Sequence, residues 1–203
     1  MSRFDITQVN AAVERLIETT ENPRHLSLLH SYNRHRYLEV AGRFEEIFAP
    51  EMTVEEPVYH FNMLDTITTL DGAVAVKAVY EEWTRTDQCI IYAEDEKLAV
   101  SEDMIVSSAM LYQQTPGAIL AAGGVPVDPE ETYLVKIAIH MIWPYDDQGR
   151  MIGEDVWEYD TSLREVIALH PTNVLTAEQA GKLLEPFIKP LPANNPFTAS
   201  AVA

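Results

Sequence analysis

Hydrophobic residues recur at helical spacing in three parts of the first half of the chain. The first pattern covers residues 5–20, where Asp5 or Thr7 can cap the helix. Its apolar stripe consists of Val9, Ala12, Val13, Leu16 and Ile17. The second pattern covers residues 23–48, with an interruption expected near Gly42, and the third covers residues 71–86. The spacing therefore predicts three helices.

From residue 52 onward, short runs of β-prone residues predict strands. The predicted strands are 52–61, 89–93, 98–100, 104–114, 133–143 and a closing strand that ends at Asp160. Pro57 places the first of them at a sheet edge or a bulge. The turn-forming residues 144–149 join the last two strands as a hairpin.

Two segments interrupt or follow this pattern. Residues 115–131 are rich in Gly and Pro, which predicts either a lid hinged at Gly123 and Gly124 or a disordered loop. After Asp160 we expect a helix over residues 161–169, a capped helix from Thr176 to Leu184, and a proline-rich tail that wraps over the domain or hangs free.

Composition narrows the functional classes. The 203 residues suffice for one domain, and a net charge of −18 with only 14 basic residues disfavours nucleic acid and anionic membranes as partners. Cys89 is the single cysteine, so an internal disulfide and a thiolate zinc cluster are both excluded. The spacing of the six histidines suggests no metal site, and the absence of a glycine-rich phosphate loop suggests no nucleotide cofactor. With no leader and no long apolar run, a cytoplasmic location is expected.

The closing strand alternates acids with aromatic residues. One face carries Gly153, Asp155, Trp157 and Tyr159, and the other carries Glu154, Val156, Glu158 and Asp160. Such a strand can line a pocket with one acid-containing face, or it can lie at a sheet edge with its acids in water.

Three short motifs in a fixed order carry a resemblance to a known family. They are Gly42-Arg-Phe-Glu-Glu-Ile-Phe48 before the first strand, Leu70-Asp-Gly72 before the third helix, and Gly149-Arg-Met-Ile152 before the last strand. Residues 24–160 thereby resemble the nuclear transport factor 2-like (NTF2-like) superfamily, particularly its SnoaL-like branch. The resemblance implies an α+β fold, a cone-shaped barrel of a curved, mostly antiparallel sheet wrapped around three helices. It assigns residues 1–160 to this domain and residues 161–203 to a C-terminal extension.

The resemblance also implies an apolar pocket and a homodimer formed through the outer face of the sheet. Ketosteroid isomerase, scytalone dehydratase, limonene epoxide hydrolase and the SnoaL polyketide cyclases share this fold, and their chemistry needs a carboxylate or His in an apolar cavity. The expected function is a cofactor-independent acid–base enzyme: an isomerase, a dehydratase (a lyase), a cyclase or an epoxide hydrolase. Its substrate would be a small to medium apolar molecule with a carbonyl, hydroxyl or epoxide.

Two other functions stay open on the same fold. One is a non-catalytic, dimeric small-molecule-binding protein, and the other is a structural assembly subunit. The Asp-Arg-Asp set of limonene epoxide hydrolase has no counterpart on the strand containing residues 104–111.

Candidate site residues follow from the resemblance and the strand alternation. Asp155 is the first choice for the catalytic base, with Glu154 as its substitute if the other face points inward. His60 or His140, together with Tyr32, would act as acid or polariser. The expected substrate-binding residues are Tyr59, Asn62, Trp83, Met110, Trp157 and Tyr159. Core packing or surface exposure is the alternative explanation for each of them.

Overall fold

The computed structural model describes residues 4–192, which form five α-helices and seven strands. The helices are α1 Ala11–Thr19, α2 Pro23–Val40, α3 Ala73–Arg85, α4 Gly117–Ala122 and α5 Ala177–Leu184. The strands are β1 Thr53–Met63, β2 Thr66–Asp71, β3 Ile91–Val100, β4 Met104–Pro116, β5 Thr132–Pro144, β6 Met151–Glu158 and β7 Glu165–Ala168. Short 3-10 helices cover Ile6–Gln8, Phe44–Phe48, Thr161–Leu163 and Pro171–Asn173.

All seven strands belong to one sheet, in the order β2-β1-β6-β5-β4-β3, with β7 paired to the first part of β5. Only β1 and β6 among these neighbours run parallel, and the other pairs are antiparallel. The predicted α+β class with a mostly antiparallel sheet is confirmed. The sheet is open, with β2 and β3 at its two edges.

Helix α2 is the central helix of the fold, and most of its second half is buried. Asn22 accepts hydrogen bonds from the backbone N–H groups of Arg24 and His25, and Pro23 occupies the first turn, so the helix begins where the sequence predicts. It ends before Gly42, whose φ of +67° is a left-handed conformation that favours glycine. The chain then re-enters a 3-10 helix over Phe44–Phe48 instead of continuing α2.

Two predicted features of the first 130 residues differ in the structure. Residues 66–71, which lie outside every predicted strand, form β2, and the tight turn before it has positive φ at Leu64 and Asp65. The connection after residue 114 is more ordered than expected, because β4 continues to Pro116 and is followed directly by α4. The backbone N–H of Gly117 donates to the Glu131 carbonyl, which closes the base of this connection.

The extension after Asp160 packs onto the same core. Residues 161–169 are not a helix: they form a 3-10 turn capped by Asp160, followed by β7 along β5. Helix α5 has the expected cap at Thr176, and Ala180 and Leu184 on its inner side are fully buried. Residues 193–203 of the proline-rich tail lie outside the described residues. Within residues 4–192, no helix has both the length and the apolar character needed to cross a membrane.

Candidate functional site

A narrow cavity lies between α2, α3 and the inner face of the sheet. Its walls are Arg36, Glu39, Phe61, Met63, Trp83, Ile91, Leu111, Gln113, Ile139, Met141, Glu154 and Val156. Only Phe61, Met63 and Trp83 in this set are partly exposed, so they form the entrance. Inside the cavity, the centre of a water molecule can reach a volume of about 30 Å³. This volume has room for roughly two water molecules. A larger ligand requires the entrance side chains to move.

Three charged residues lie among these apolar walls. Arg36 and Glu39 are one turn apart on α2, and the Arg36 Nη1 atom donates a hydrogen bond of 3.1 Å to Glu39 Oε2. Glu154 comes from β6 and is 6% exposed. The other guanidinium nitrogen of Arg36, Nη2, is buried and has no hydrogen-bond partner within the described part of the chain. The cavity thus contains one cation, two carboxyl groups and one unused donor.

Burial changes the acidity of both carboxyl groups. Desolvation raises the pKa of Glu154 well above its usual value, and the nearby charge of Glu39 adds to this effect while Arg36 opposes it. Desolvation also raises the pKa of Glu39, against the lowering effect of Arg36. One guanidinium can balance one carboxylate, and Glu39 is the group bonded to it. We therefore assign the negative charge to Glu39 and the retained proton to Glu154.

A third acid, the half-buried Glu96, lies beside this group. The Tyr32 hydroxyl donates a 2.9 Å hydrogen bond to Glu96, and burial raises the pKa of both side chains. The Tyr32 ring packs edge-on against Trp143. Next to it, burial and the charge of Arg36 lower the pKa of His35 to about 3, so its imidazole is neutral. His35 Nε2 lies 3.2 Å from the Tyr80 hydroxyl.

Gly153 explains why β6 turns Glu154 inward. Met151 lies near the buried Tyr59 hydroxyl, and Glu154 reaches the cavity, so two inward residues are three positions apart. Simple alternation is therefore broken between them. A Cβ on Gly153 would lie 1.9 Å from the Val58 carbonyl oxygen, and the β1–β6 register shifts between Thr53 and Val58. β1 and β6 approach each other closely at this glycine. The residues after Gly153 therefore lie on the face opposite to the one that simple alternation from Met151 predicts.

Comparisons with known proteins bear on the fold. No protein-family model and no curated protein matches the sequence. Solved structures do match. A SnoaL-like polyketide cyclase from Jannaschia sp. CCS1 matches with a TM-score of 0.52 at 12% identity, over 70% of this chain and 91% of the other.

Two further solved structures are similar to this chain over a comparable length. An NTF2-like protein from Anabaena variabilis matches with a TM-score of 0.50 at 10% identity, over 71% of this chain and 96% of the other. Bal32a from a soil-derived mobile gene cassette matches with a TM-score of 0.50 at 12% identity, over 69% and 95%. This chain has the NTF2-like fold. The fold that the sequence resemblance implies is thereby confirmed.

The first-choice acid lies on the other side of this NTF2-like sheet. Asp155 is on the outer face with its side chain 41% exposed, and its Oδ1 atom is 4.0 Å from His60 Nε2. The expectation that Asp155 lines the cavity is wrong, because Glu154 does so. His140 is also on the outer face, where its ring stacks on Tyr159 at 4.2 Å and contacts Trp157. His60, His140, Trp157 and Tyr159 therefore lie on the outer face with Asp155 and do not line the cavity.

The remaining predicted residues divide between the two faces. Trp83 lines the cavity entrance, and Tyr59 is buried beneath it, opposite Glu154 in the β1–β6 register. Asn62 is exposed on the outer face beside Asp155, and Leu111 rather than Met110 lines the cavity. Of the proposed catalytic set, Glu154 and Tyr32 are interior, while His60, His140 and Asp155 are not.

Arg36, Glu39 and Glu96 were not predicted. Helical spacing held a usable signal, since Arg36 and Glu39 follow Tyr32 by four and seven positions and so share its face of α2. A carboxyl–guanidinium–carboxyl set is present after all, but it joins α2 to β6 and does not involve the strand containing residues 104–111. No group of three or more His, Cys, Asp or Glu side chains within residues 4–192 is arranged to hold a metal ion.

Proposed function

We propose that the protein is a cofactor-independent acid–base enzyme in which Glu154 transfers the proton. The observation that supports it best is a carboxyl group buried inside an apolar cavity, where desolvation raises its pKa well above the usual value, next to the hydrogen-bonded Arg36–Glu39 pair. A carboxyl group with a pKa raised toward neutral pH serves both as acid and as base. The substrate is a small apolar molecule bearing a carbonyl, hydroxyl or epoxide.

For a ketone substrate the proposed chemistry is a tautomerisation. The Glu154 carboxyl donates its proton to the ligand oxygen, and the carboxylate so formed removes a proton from the adjacent carbon. Glu154 ends the step protonated, and the ligand is converted to its enol with no change in total atoms. The apolar walls exclude water, which strengthens the interactions that stabilise the developing charge.

Hydrogen exchange at carbon tests this proposal without knowledge of the natural substrate. Small cyclic ketones would be incubated with the protein in D₂O, and deuterium incorporation next to the carbonyl would be followed by NMR. Glu154→Gln should lower the protein-catalysed rate by about 100-fold or more, whereas Asp155→Asn, a change at the adjacent acid on the outer face, should retain it. Equal rates in the wild type and Glu154→Gln would contradict the proposal.

A non-catalytic binding protein is the second candidate, and the mainly apolar lining of the cavity supports it. A protein that only stores or carries a ligand needs the apolar walls but not a protonated acid. This candidate predicts that cyclic ketones bind to the cavity but exchange no faster than in buffer. The exchange assay therefore separates the two functions.

We also propose that the protein forms a homodimer through the outer face of the sheet. Val106 on β4, Ile152 on β6 and Tyr159 just after β6 are large hydrophobic residues that are 37%, 41% and 45% exposed. The strands β4 and β6 flank β5, and the outward-facing His140 on β5 contacts Trp157 on β6. Pairing two copies would cover this surface. A reducing, cytoplasmic location is part of the proposal and is supported by the single free, buried Cys89.

A further inference from the structure

We infer that the cavity recognises a neutral carbonyl oxygen, which accepts a hydrogen bond from Nη2 of Arg36. The inference rests on the proposed function for the position of the ligand but not for the proton transfer. It narrows the substrate from three oxygen-containing classes to carbonyl compounds, and it gives Arg36 a direct role in binding.

The first step is the unused donor on Arg36. A guanidinium has five N–H groups and no acceptor, and here Nη1 is occupied by Glu39. Nη2 is buried and has no partner among residues 4–192, although Arg36 lines the cavity. Buried polar atoms are nearly always hydrogen-bonded, and an unpaired donor on a charged group is particularly unfavourable. An acceptor supplied from the cavity satisfies it.

The second step is the charge balance, which argues against an anionic ligand. The charge of Arg36 is already matched by Glu39, and Glu96 is a further acid close enough for its charge to act on Arg36. A carboxylate ligand would therefore bring an unmatched charge into an apolar cavity. The net charge of −18 on the whole chain repels anions further.

The third step is the count of donors, which argues against an alcohol. Both the Arg36 Nη2–H group and the protonated Glu154 hydroxyl need an acceptor. A carbonyl oxygen has two lone pairs in the plane of its substituents and no proton, so it can accept from both. An alcohol adds a third donor to a cavity that already has two. An epoxide oxygen has no donor but lacks the planar lone-pair geometry.

A matched set of five-membered-ring probes tests these steps. Cyclopentanone, cyclopentanol, cyclopentene oxide and cyclopentanecarboxylate share a five-membered carbon ring and differ in the oxygen-containing group that it carries, and cyclopentane is the same ring without oxygen. Binding would be measured by NMR on protein containing ¹⁵N-labelled arginine, with the Arg36 guanidinium resonance assigned from its loss in Arg36→Met/Glu39→Gln. We expect cyclopentanone to bind most tightly and to shift the Arg36 resonance, and cyclopentanecarboxylate to produce no shift.

The variants separate this inference from the proposed function. Arg36→Met/Glu39→Gln removes the donor while leaving no unpaired charge, and it should weaken cyclopentanone binding by about tenfold or more. Glu154→Gln should still bind cyclopentanone through Arg36 even though it loses hydrogen exchange. Glu39→Gln/Glu154→Gln removes the carboxylate that is bonded to Arg36 and the second acid of the cavity, and it should bind cyclopentanecarboxylate more tightly than the wild type does.

Several results would overturn the inference. They are an Arg36 resonance in the wild type that does not respond to cyclopentanone, unchanged ketone affinity in Arg36→Met/Glu39→Gln, and equal or tighter binding of any other probe in the set. Unchanged ketone binding in the Arg36 variant, together with exchange that still depends on Glu154, would reject the inference and leave the proposed function intact.

Discussion

Glu154 and Asp155 are adjacent on β6 and lie on opposite faces of the sheet, the first buried at 6% exposure and the second with a side chain that is 41% exposed. The two acids differ by one methylene group, yet their surroundings differ in every respect that affects acidity. Glu154 has apolar walls and the Arg36–Glu39 pair, whereas Asp155 has His60 and solvent. Asp155 is therefore the matched control for experiments on Glu154, and its charge makes only the last and smallest of the contributions to the Glu154 pKa.

The stability of the protein should depend on pH through Glu154. Its folded pKa is raised by burial, so between the usual value of 4.5 and the folded value the folded state holds a proton that the unfolded state releases. The contribution of protonated Glu154 to the stability of the folded state is therefore complete below about pH 4.5. This contribution is lost as the pH rises through the folded pKa. In this range the free energy of unfolding should fall by at most about 1.4 kcal/mol for each pH unit.

Denaturant unfolding of the wild type and of Glu154→Gln across pH 4 to pH 9 measures this contribution. The difference in unfolding free energy between the two proteins should change in favour of Glu154→Gln as the pH rises. Glu96 is present in both proteins, so its own raised pKa cancels in the difference, whereas the interaction between Glu39 and Glu154 is part of the measured contribution. A difference that does not vary with pH would contradict a protonated Glu154.

Removal of Arg36 alone should destabilise the fold strongly. Arg36→Met leaves Glu39 buried without its counter-charge, and breaking such a buried pair costs about 3–5 kcal/mol. Arg36→Met/Glu39→Gln removes both charges and should recover most of that loss. Chemical denaturation of the two single variants and the double variant gives the coupling energy, and additive effects would show that the pair is not an energetic unit.

Gly153 should be intolerant of any side chain. In Gly153→Ala the new Cβ would lie 1.9 Å from the Val58 carbonyl oxygen, so β1 and β6 must separate at that point. We expect the free energy of unfolding to fall by about 1–3 kcal/mol. The protein-catalysed deuterium incorporation into cyclic ketones should also slow, because Glu154 is displaced. Ile152→Ala changes an adjacent, outward-facing residue and serves as the control. Equal stability and exchange in Gly153→Ala and the wild type would refute the role given to this contact.

The proposed dimer can be disrupted from the outer face. Val106→Glu places a charge on the exposed sheet surface and should convert a dimer to a monomer in sedimentation equilibrium experiments. Val74→Glu is the matched control, since Val74 is 86% exposed on α3, away from the sheet. A wild-type protein that is already monomeric, or a Val106→Glu variant that stays dimeric, would count against this interface.

The features that sequence predicted well are those with local causes. Helix α2 begins at an Asn-Pro cap and α5 at a Thr cap, and β4 and β5 are long runs of β-prone residues that pair along their whole length. By contrast, β2 was missed because its residues are mostly exposed, which removes the buried stripe of a typical strand.

The orientation of β6 could not be predicted because its cause is not local. The alternation of Glu154 and Asp155 depends on the contact of Gly153 with Val58, about 95 positions earlier in the chain. A one-residue shift in that contact would exchange the two acids between faces. Arg36 and Glu39 were missed for a different reason, since charged residues on a helix are usually solvent-exposed and only the tertiary structure buries these two.

The protonation state of Glu154 at neutral pH tests the central claim most directly. Infrared difference spectroscopy at pH 7, comparing the wild type with Glu154→Gln, detects the C=O stretch of a protonated carboxyl group that the variant lacks. We predict that this band is present in the wild type, absent in Glu154→Gln and retained in Asp155→Asn. A wild-type spectrum with only an ionised carboxylate at Glu154 would contradict the account.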